Sequence, residues 1–313
     1  MGGSRRVPLP TARTAAKAAG KRTVAAAATT GTYVYCVVRG ARRPVVGSGV
    51  ESLPGGGPPR VLPLARGTWL IVADVPMKAF GQDALNKRLQ DVDWMSRCGV
   101  AHQAVIESFI ASDAVVPMRL FTIFANDERA VAEAKNDAAR LRASLDRVAG
   151  RVEWVVRVLR GDAGDAAAAP AAGTDTSGGN ETALVTAAAT TGSRDAGAVA
   201  PRSGRDFLQA KVNQRQAARR AAEETSQAVH GLFTALSDVA DEVSDRTEAL
   251  TAGALGSTAL LDAAFLVARA AEPKFEQAAR RMAQPLADRG FRVSVTGPWP
   301  CYSFVAPRPS PRD

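Results

Sequence analysis

The sequence predicts an α+β protein: two small sheet-and-helix modules of ferredoxin-like type, the second opening on a long helix, joined by a disordered linker. Three observations carry this. Two stretches, 1–31 and 161–204, are built of Ala, Gly, Thr and charged residues with almost no large apolar side chain, so they cannot offset the entropy of ordering. Between and after them lie two blocks, 32–160 and 205–306, in which β-type runs alternate with runs of helical period. A chain of 313 residues is also long enough for two cores, since single domains commonly hold ~100–150 residues. Residues 307–313 form a short Pro-rich tail.

The first block opens with Thr32 to Val38, a β-rich run in which Tyr33, Tyr35 and Val37 fall on one face. A Gly/Pro-rich loop containing Pro54 to Pro59 follows, and then a second strand, Thr68 to Val75, stopped by Pro76. From Asp83 the period becomes helical: Leu85, Leu89 and Val92, then Gly99, His102, Ile106 and Phe109, read as two consecutive helices. Val115 to Phe124 is extended again. Asn126 caps a helix whose first turn carries Asp127 and Glu128, suited to the positive end of the dipole. Its stripe runs Val131, Ala134, Ala138, Leu141, Leu145 and Val148, and Gly150 takes the left-handed cap position. Arg151 to Leu159 closes the block as a strand. Helices on one side of such a sheet leave its other face and its edges to be covered or used.

The second block begins with a helix over about 205–245. Its later half has an apolar stripe at Val229, Leu232, Leu236, Val239 and Val243. In the earlier half the same register reads Leu208, Val212, Arg215, Arg219 and Ala222, so the stripe turns polar, as in a helix that leaves its core and offers itself to a partner. Leu260 to Val267 reads as a buried strand, with a helix as the alternative. Pro273 starts a helix with an inner face of Phe275, Ala279, Met282 and Leu286, in which Pro285 predicts a kink or break. Phe291 to Thr296 is a last strand, turning at Gly297-Pro298.

The formal charge is +9, but six of those charges (Arg5, Arg6, Arg13, Lys17, Lys21 and Arg22) precede Thr32, so a folded basic face does not follow. Cys36, Cys98 and Cys301 are odd in number and widely spaced, which argues against a disulfide framework or zinc cluster and for a reducing cytoplasm. Thr29 to Thr32 interrupt the apolar run that would make a signal peptide. No stretch reaches the ~18 uninterrupted apolar residues of a spanning helix, so no membrane partner is expected.

Catalytic patterns are missing. His102 and His230 stand in no metal-ligand spacing, and there is no nucleophile elbow, phosphate loop or dinucleotide fingerprint. His102 reads as a core-edge imidazole, and Asp91 and Asp93 face different directions on their helix. No catalytic residue, metal or cofactor is expected. The alternative to a protein-binding role is a weak single-stranded nucleic-acid module of RNA-recognition-like fold, with Tyr33 and Tyr35 as stacking platform. Arg66 to Leu70 lacks the alternating aromatics that such a module demands, so no specific nucleic acid is expected.

Three places together resemble one family. Tyr33-Val-Tyr-Cys-Val-Val38 is similar to its opening strand. Ala101-His102 with Val115-Val-Pro-Met-Arg-Leu-Phe-Thr-Ile-Phe124 is similar to its central segment, although Leu120 and Phe121 stand where the pattern has Phe and Gly. Phe265-Leu-Val267 and Gly297-Pro-Trp-Pro-Cys-Tyr-Ser-Phe304 resemble its C-terminal part, with Cys301 in place of a Pro. The family is GvpL/GvpF of gas vesicles. The resemblance implies a non-enzymatic accessory protein of gas vesicle assembly. It would bind the hydrophobic major shell protein and other accessory proteins, in the cytoplasm during assembly and at the vesicle. Pro117, Arg119, Phe124, Gly297, Pro298, Trp299, Pro300, Tyr302 and Phe304 become the candidate interaction or motif residues.

Overall fold

The computed structural model describes residues 29–47, 49–160, 204–248 and 259–305. The expected tail at 1–31, the linker at 161–204 and the tail at 307–313 lie almost wholly outside the described residues. The first sheet uses β1 (Thr30–Arg39), β2 (Arg60–Ala65), β3 (Thr68–Pro76), β4 (Ala114–Pro117) and β5 (Ile123–Phe124). Its order is β2-β3-β1-β4, with β5 also on β1, and every pair is antiparallel. Three helices separate β3 from β4: α1 (Met77–Phe80), α2 (Gln82–Arg88) and α3 (Val92–Glu107). After β5 come α4 (Asp127–Asn136) and α5 (Ala138–Val148).

The second sheet is made of β6 (Arg151–Arg160), β7 (Glu242–Asp245), β8 (Ala259–Ala268) and β9 (Phe291–Trp299), in the order β7-β8-β6-β9. Among the described residues its helices are α6 (Gly204–Ser237) and α7 (Glu272–Ala287), and a single turn, α8 (Tyr302–Val305), follows β9. The strand expected to close the first block therefore sits inside the second sheet, between β8 and β9. Hydrophobicity makes β6 a strand, but its partners arrive more than ninety residues later, and no local pattern names them.

Among the described residues, three apolar cores hold the fold together. One lies between the outer face of the first sheet and α3, with Tyr33, Tyr35, Ile71, Trp94, Cys98, Val105 and Ile106 buried in it. A second lies between the second sheet and the later half of α6 with α7, around Trp154, Leu232, Leu236, Phe265 and Phe275. The third joins the opposite faces of the two sheets: Val34, Leu70 and Val72 from one, Ala264 and Leu266 from the other, with Leu141, Leu145 and Phe304 between them. The sheet faces that the sequence leaves bare thus cover each other through α5 and α8.

Several expectations change in detail. A register shift between Val34 and Cys36 marks a bulge at Tyr35, so Tyr33 and Tyr35 enter the first core while Val37 enters the third; an extra residue reverses the alternation. The expected strand 115–124 breaks after Pro117, where the Thr122 N–H turns back to the Arg119 carbonyl at 3.1 Å. The helix expected from Asn126 to Val148 is two, divided at Asp137, though the Asn126 side chain does accept from the Arg129 N–H at 2.8 Å and Gly150 has φ 64°. Leu89 and Val92 are exposed rather than inward. The long helix stops at Ser237, and Val243 belongs to β7. Pro285 stands inside α7, which runs on to Ala287; its place in the final turn limits the loss to one backbone bond.

Candidate interaction site at the C-terminal motif

The residues of Gly297 to Phe304 are placed by β9 and by the chain's return across β6. Gly297 has φ 149°. A Cβ there would lie 2.9 Å from Trp154 Cδ2 and 3.0 Å from the Glu153 carbonyl oxygen. A glycine is required for backbone and indole to meet this closely. The register of β6 against β9 shifts between Glu153 and Val155, beside this contact. Pro298 and Trp299 are half-buried, and the Trp299 Nε1–H donates to Thr296 Oγ1 at 3.2 Å. Pro300 and Cys301 are buried, and burial pushes the Cys301 thiol up to about 12, which leaves it unreactive at neutral pH.

From Tyr302 the motif reaches three elements at once. The Tyr302 hydroxyl donates to Gln103 Oε1 on α3. The Ser303 N–H and Oγ–H donate to the two oxygens of Glu153 on β6, at 2.8 and 2.7 Å. Phe304, 1 % exposed, fills the third core, with the Arg147 guanidinium of α5 5.8 Å from its ring centre. Glu153 is 3 % exposed. Burial holds its carboxyl above the usual range, opposed by the Ser303 bonds and the charge of Arg246. Arg246 pairs with Asp262 at 3.0 Å and donates to Ser303 Oγ, while Arg147 pairs with Glu242 of β7. Arg269 donates to the carbonyls of Ile110 and Ser112. Sheet one, sheet two and the helix between them are pinned to the motif or beside it.

The central-segment candidates divide. Pro117 is buried at the end of β4 opposite Cys36. Phe124 is packed against the same core as Phe304. Arg119 extends into solvent from the turn, and its carbonyl accepts both the N–H and the hydroxyl of Thr122. Phe121 has φ 63°, the left-handed backbone that a glycine would take without strain. Its ring stacks on Trp94 at 5.4 Å and 3°, so this chain keeps the turn and spends the position on packing.

His102 is 5 % exposed. Its Nδ1 accepts from the Tyr33 hydroxyl at 2.7 Å, and its Nε2–H donates to the Met118 carbonyl at 3.2 Å. Tyr33 in turn accepts from the Phe121 N–H. Burial lowers the imidazole to about 4, so a neutral ring ties α3 to the strand break after β4. Tyr33 and Tyr35 are 0 % exposed and cannot stack a base. Among the described residues, no His, Cys, Asp or Glu group of three or more could hold a metal ion, and no helix is long and apolar enough to cross a membrane. Glu153, Gln103, Arg147 and Arg246 were beyond sequence reasoning, because each is an ordinary polar residue whose partner lies far along the chain.

The comparisons with known proteins agree with this architecture. Crystal structures of gas vesicle protein GvpF resemble the whole fold. The protein from Anabaena sp. PCC7120 aligns with a TM-score of 0.54 at 15% identity, over 89% of this chain and 97% of that one. The protein from Microcystis aeruginosa aligns at 0.52 and 13%, over 88% and 99%. The molecule is thus a two-sheet α+β protein of the GvpF fold. Residues 31–306 match the family model of gas vesicle synthesis protein GvpL/GvpF. Gas vesicle protein L of Streptomyces sp. (strain CB03234) is 31% identical over 278 residues, covering 87% of this chain and 92% of its own length. The chain belongs to the GvpL/GvpF family.

Proposed function

We propose that this protein is a non-enzymatic accessory factor of gas vesicle assembly that binds the small, hydrophobic major shell protein before it polymerises, in the cytoplasm and together with other accessory proteins. The observation that carries the reading is the first half of α6. Phe207, Leu208 and Val212 are 55, 65 and 46 % exposed, on a helix of which, among the described residues, the second half alone is held in a core. Three large apolar side chains on one unpaired stretch of helix are the kind of patch that a binder of apolar subunits uses. Arg215, Arg219 and Arg220 continue that stretch and give it a basic rim. A gas vesicle role is the family's; nucleation or chaperoning by direct contact is the proposal. Arg119 and Trp299 are secondary contact candidates, while Pro117, Phe124, Gly297, Pro298, Pro300, Tyr302 and Phe304 act as packing residues of their motifs, away from α6.

Within this reading the second unit is ferredoxin-like. What supports it is the succession β6, α6, β7, β8, α7, β9 with spatial order β7-β8-β6-β9, the split β-α-β arrangement.

The test is co-expression with the major shell protein and affinity capture at moderate salt. The intact chain is expected to retain shell protein without nucleic acid. The triple variant Phe207→Ser, Leu208→Ser, Val212→Ser is expected to lose at least tenfold of that retention. Capture of RNA alone, released by salt, would favour the nucleic-acid alternative.

A further inference from the structure

We infer that the outer edge of β9 is a docking strand for a second copy of this chain. Two molecules join β9 to β9 antiparallel, about a two-fold axis at Ser294, into one continuous eight-stranded sheet.

The argument starts from how the four sheet edges are treated. An edge strand offers unpaired N–H and C=O groups, and proteins blunt it by shortness, proline, charge or a covering element. β2 carries Pro63 in its middle and Arg60 at its start. β4 has four residues, ends in Pro117 and lies under α5 and α8. β7 has four residues, two of them acidic. β9 is different. It is nine residues long, its only charged side chain is Arg292, and it has no proline before Pro298. Among the described residues its ladder is with β6 alone.

The sequence of that edge is complementary to itself. With the axis at Ser294, Ser294 faces its own copy, Val293 faces Val295, Arg292 faces Thr296, and Phe291 faces Gly297. Val293 and Val295 are buried on the face covered by α7, so apolar meets apolar on that side. Arg292, Ser294 and Thr296 are exposed on the other, so polar meets polar and no like charges oppose. Compatible cross-strand pairs on both faces are what fixes a register. A two-fold contact of one surface with itself also closes, leaving no further edge on either copy of β9.

The prediction is read by cross-linking. Ser294→Cys in the full chain places two thiols directly opposite, within the Cα separation of about 4.5–5.5 Å that such pairs have and a disulfide accepts. Mild oxidation is expected to give a covalent dimer on a non-reducing gel. The wild type is the control, because Cys36, Cys98 and Cys301 are buried. Thr296→Cys alone is expected not to link, since its copy lies roughly 13 Å away along the paired strands; Arg292→Cys combined with Thr296→Cys is expected to link. Ser294→Lys, an exposed change that sets two charges face to face, is expected to shift the light-scattering mass from two chains to one. A wild type that stays monomeric at tens of micromolar, with no link through Ser294→Cys, overturns the inference. So does linking of Thr296→Cys alone to the same extent as Ser294→Cys. None of these readouts uses shell protein, so their failure is separate from failure of the proposed function.

Discussion

Gly297 and His102 show how single residues fix the geometry. At Gly297 a methyl group would press on the Trp154 indole and on the Glu153 carbonyl, from a backbone that a side chain rarely adopts. Gly297→Ala is therefore expected to cost about 2–4 kcal/mol, combining overpacking with backbone strain, measured by denaturant unfolding. His102 gives a pH dependence with a definite sign. Its folded-state value of about 4 lies below the ordinary 6.5, so between those limits the unfolded chain binds the extra proton. Stability from this group is complete above about pH 6.5 and is lost as pH falls toward 4, by an amount on the order of 3 kcal/mol. Unfolding curves of wild type and His102→Gln across that window check it: the variant should show a shallower acid slope. Sequence reasoning placed His102 at the edge of a core, which the helical spacing makes legible. It could not supply Tyr33 and Met118 as partners, because both come from segments that meet α3 only in the folded state.

At the scale of elements, α6 separates stability from binding. Its later half is bolted to the second sheet by Leu232 and Leu236, each 0 % exposed, while its earlier half presents Phe207, Leu208 and Val212 to solvent. The triple serine variant is accordingly expected to unfold within about 0.5 kcal/mol of wild type, while losing capture of the shell protein. A large fall in stability would mean that those side chains are packed, and the contact reading would fail. The loss of the core-facing stripe in this half was readable from sequence, since its register passes through Arg215 and Arg219, whereas the exposed Phe207 lies outside that register. Strand β2 was not readable, because Pro63 and the flanking Gly/Pro run look like loop; it forms because β3 offers an edge and tolerates proline on the outermost strand. The split of α4 from α5 was equally hidden, as the apolar spacing continues through Asp137 without a break. The motif's sequence was its most legible feature, yet its use as a three-way anchor depends on Glu153 and Gln103, which nothing local distinguishes.

For the whole molecule, the third core makes the two sheets one cooperative body. Phe304→Ala removes a fully buried ring from between them and is expected to cost about 3–5 kcal/mol. Unfolding should still occur in a single transition. Trp94 lies in the first core and Trp154 in the second, so in the wild-type chain tryptophan fluorescence and far-ultraviolet circular dichroism should give coincident curves. Separate midpoints would show that the sheets melt independently and that the shared core is weak.

The position of β6 bears on how such a chain is made. Synthesis delivers it at residues 151–160, but the strands that flank it are translated at 259–268 and 291–299. At about 5–20 residues per second, a Val-rich ribbon with both margins bare waits many seconds on the ribosome. Growing polypeptides at that stage are the ones a cell's holdases should engage. Slowing translation downstream of residue 160 should lower the soluble yield more than slowing it after 299.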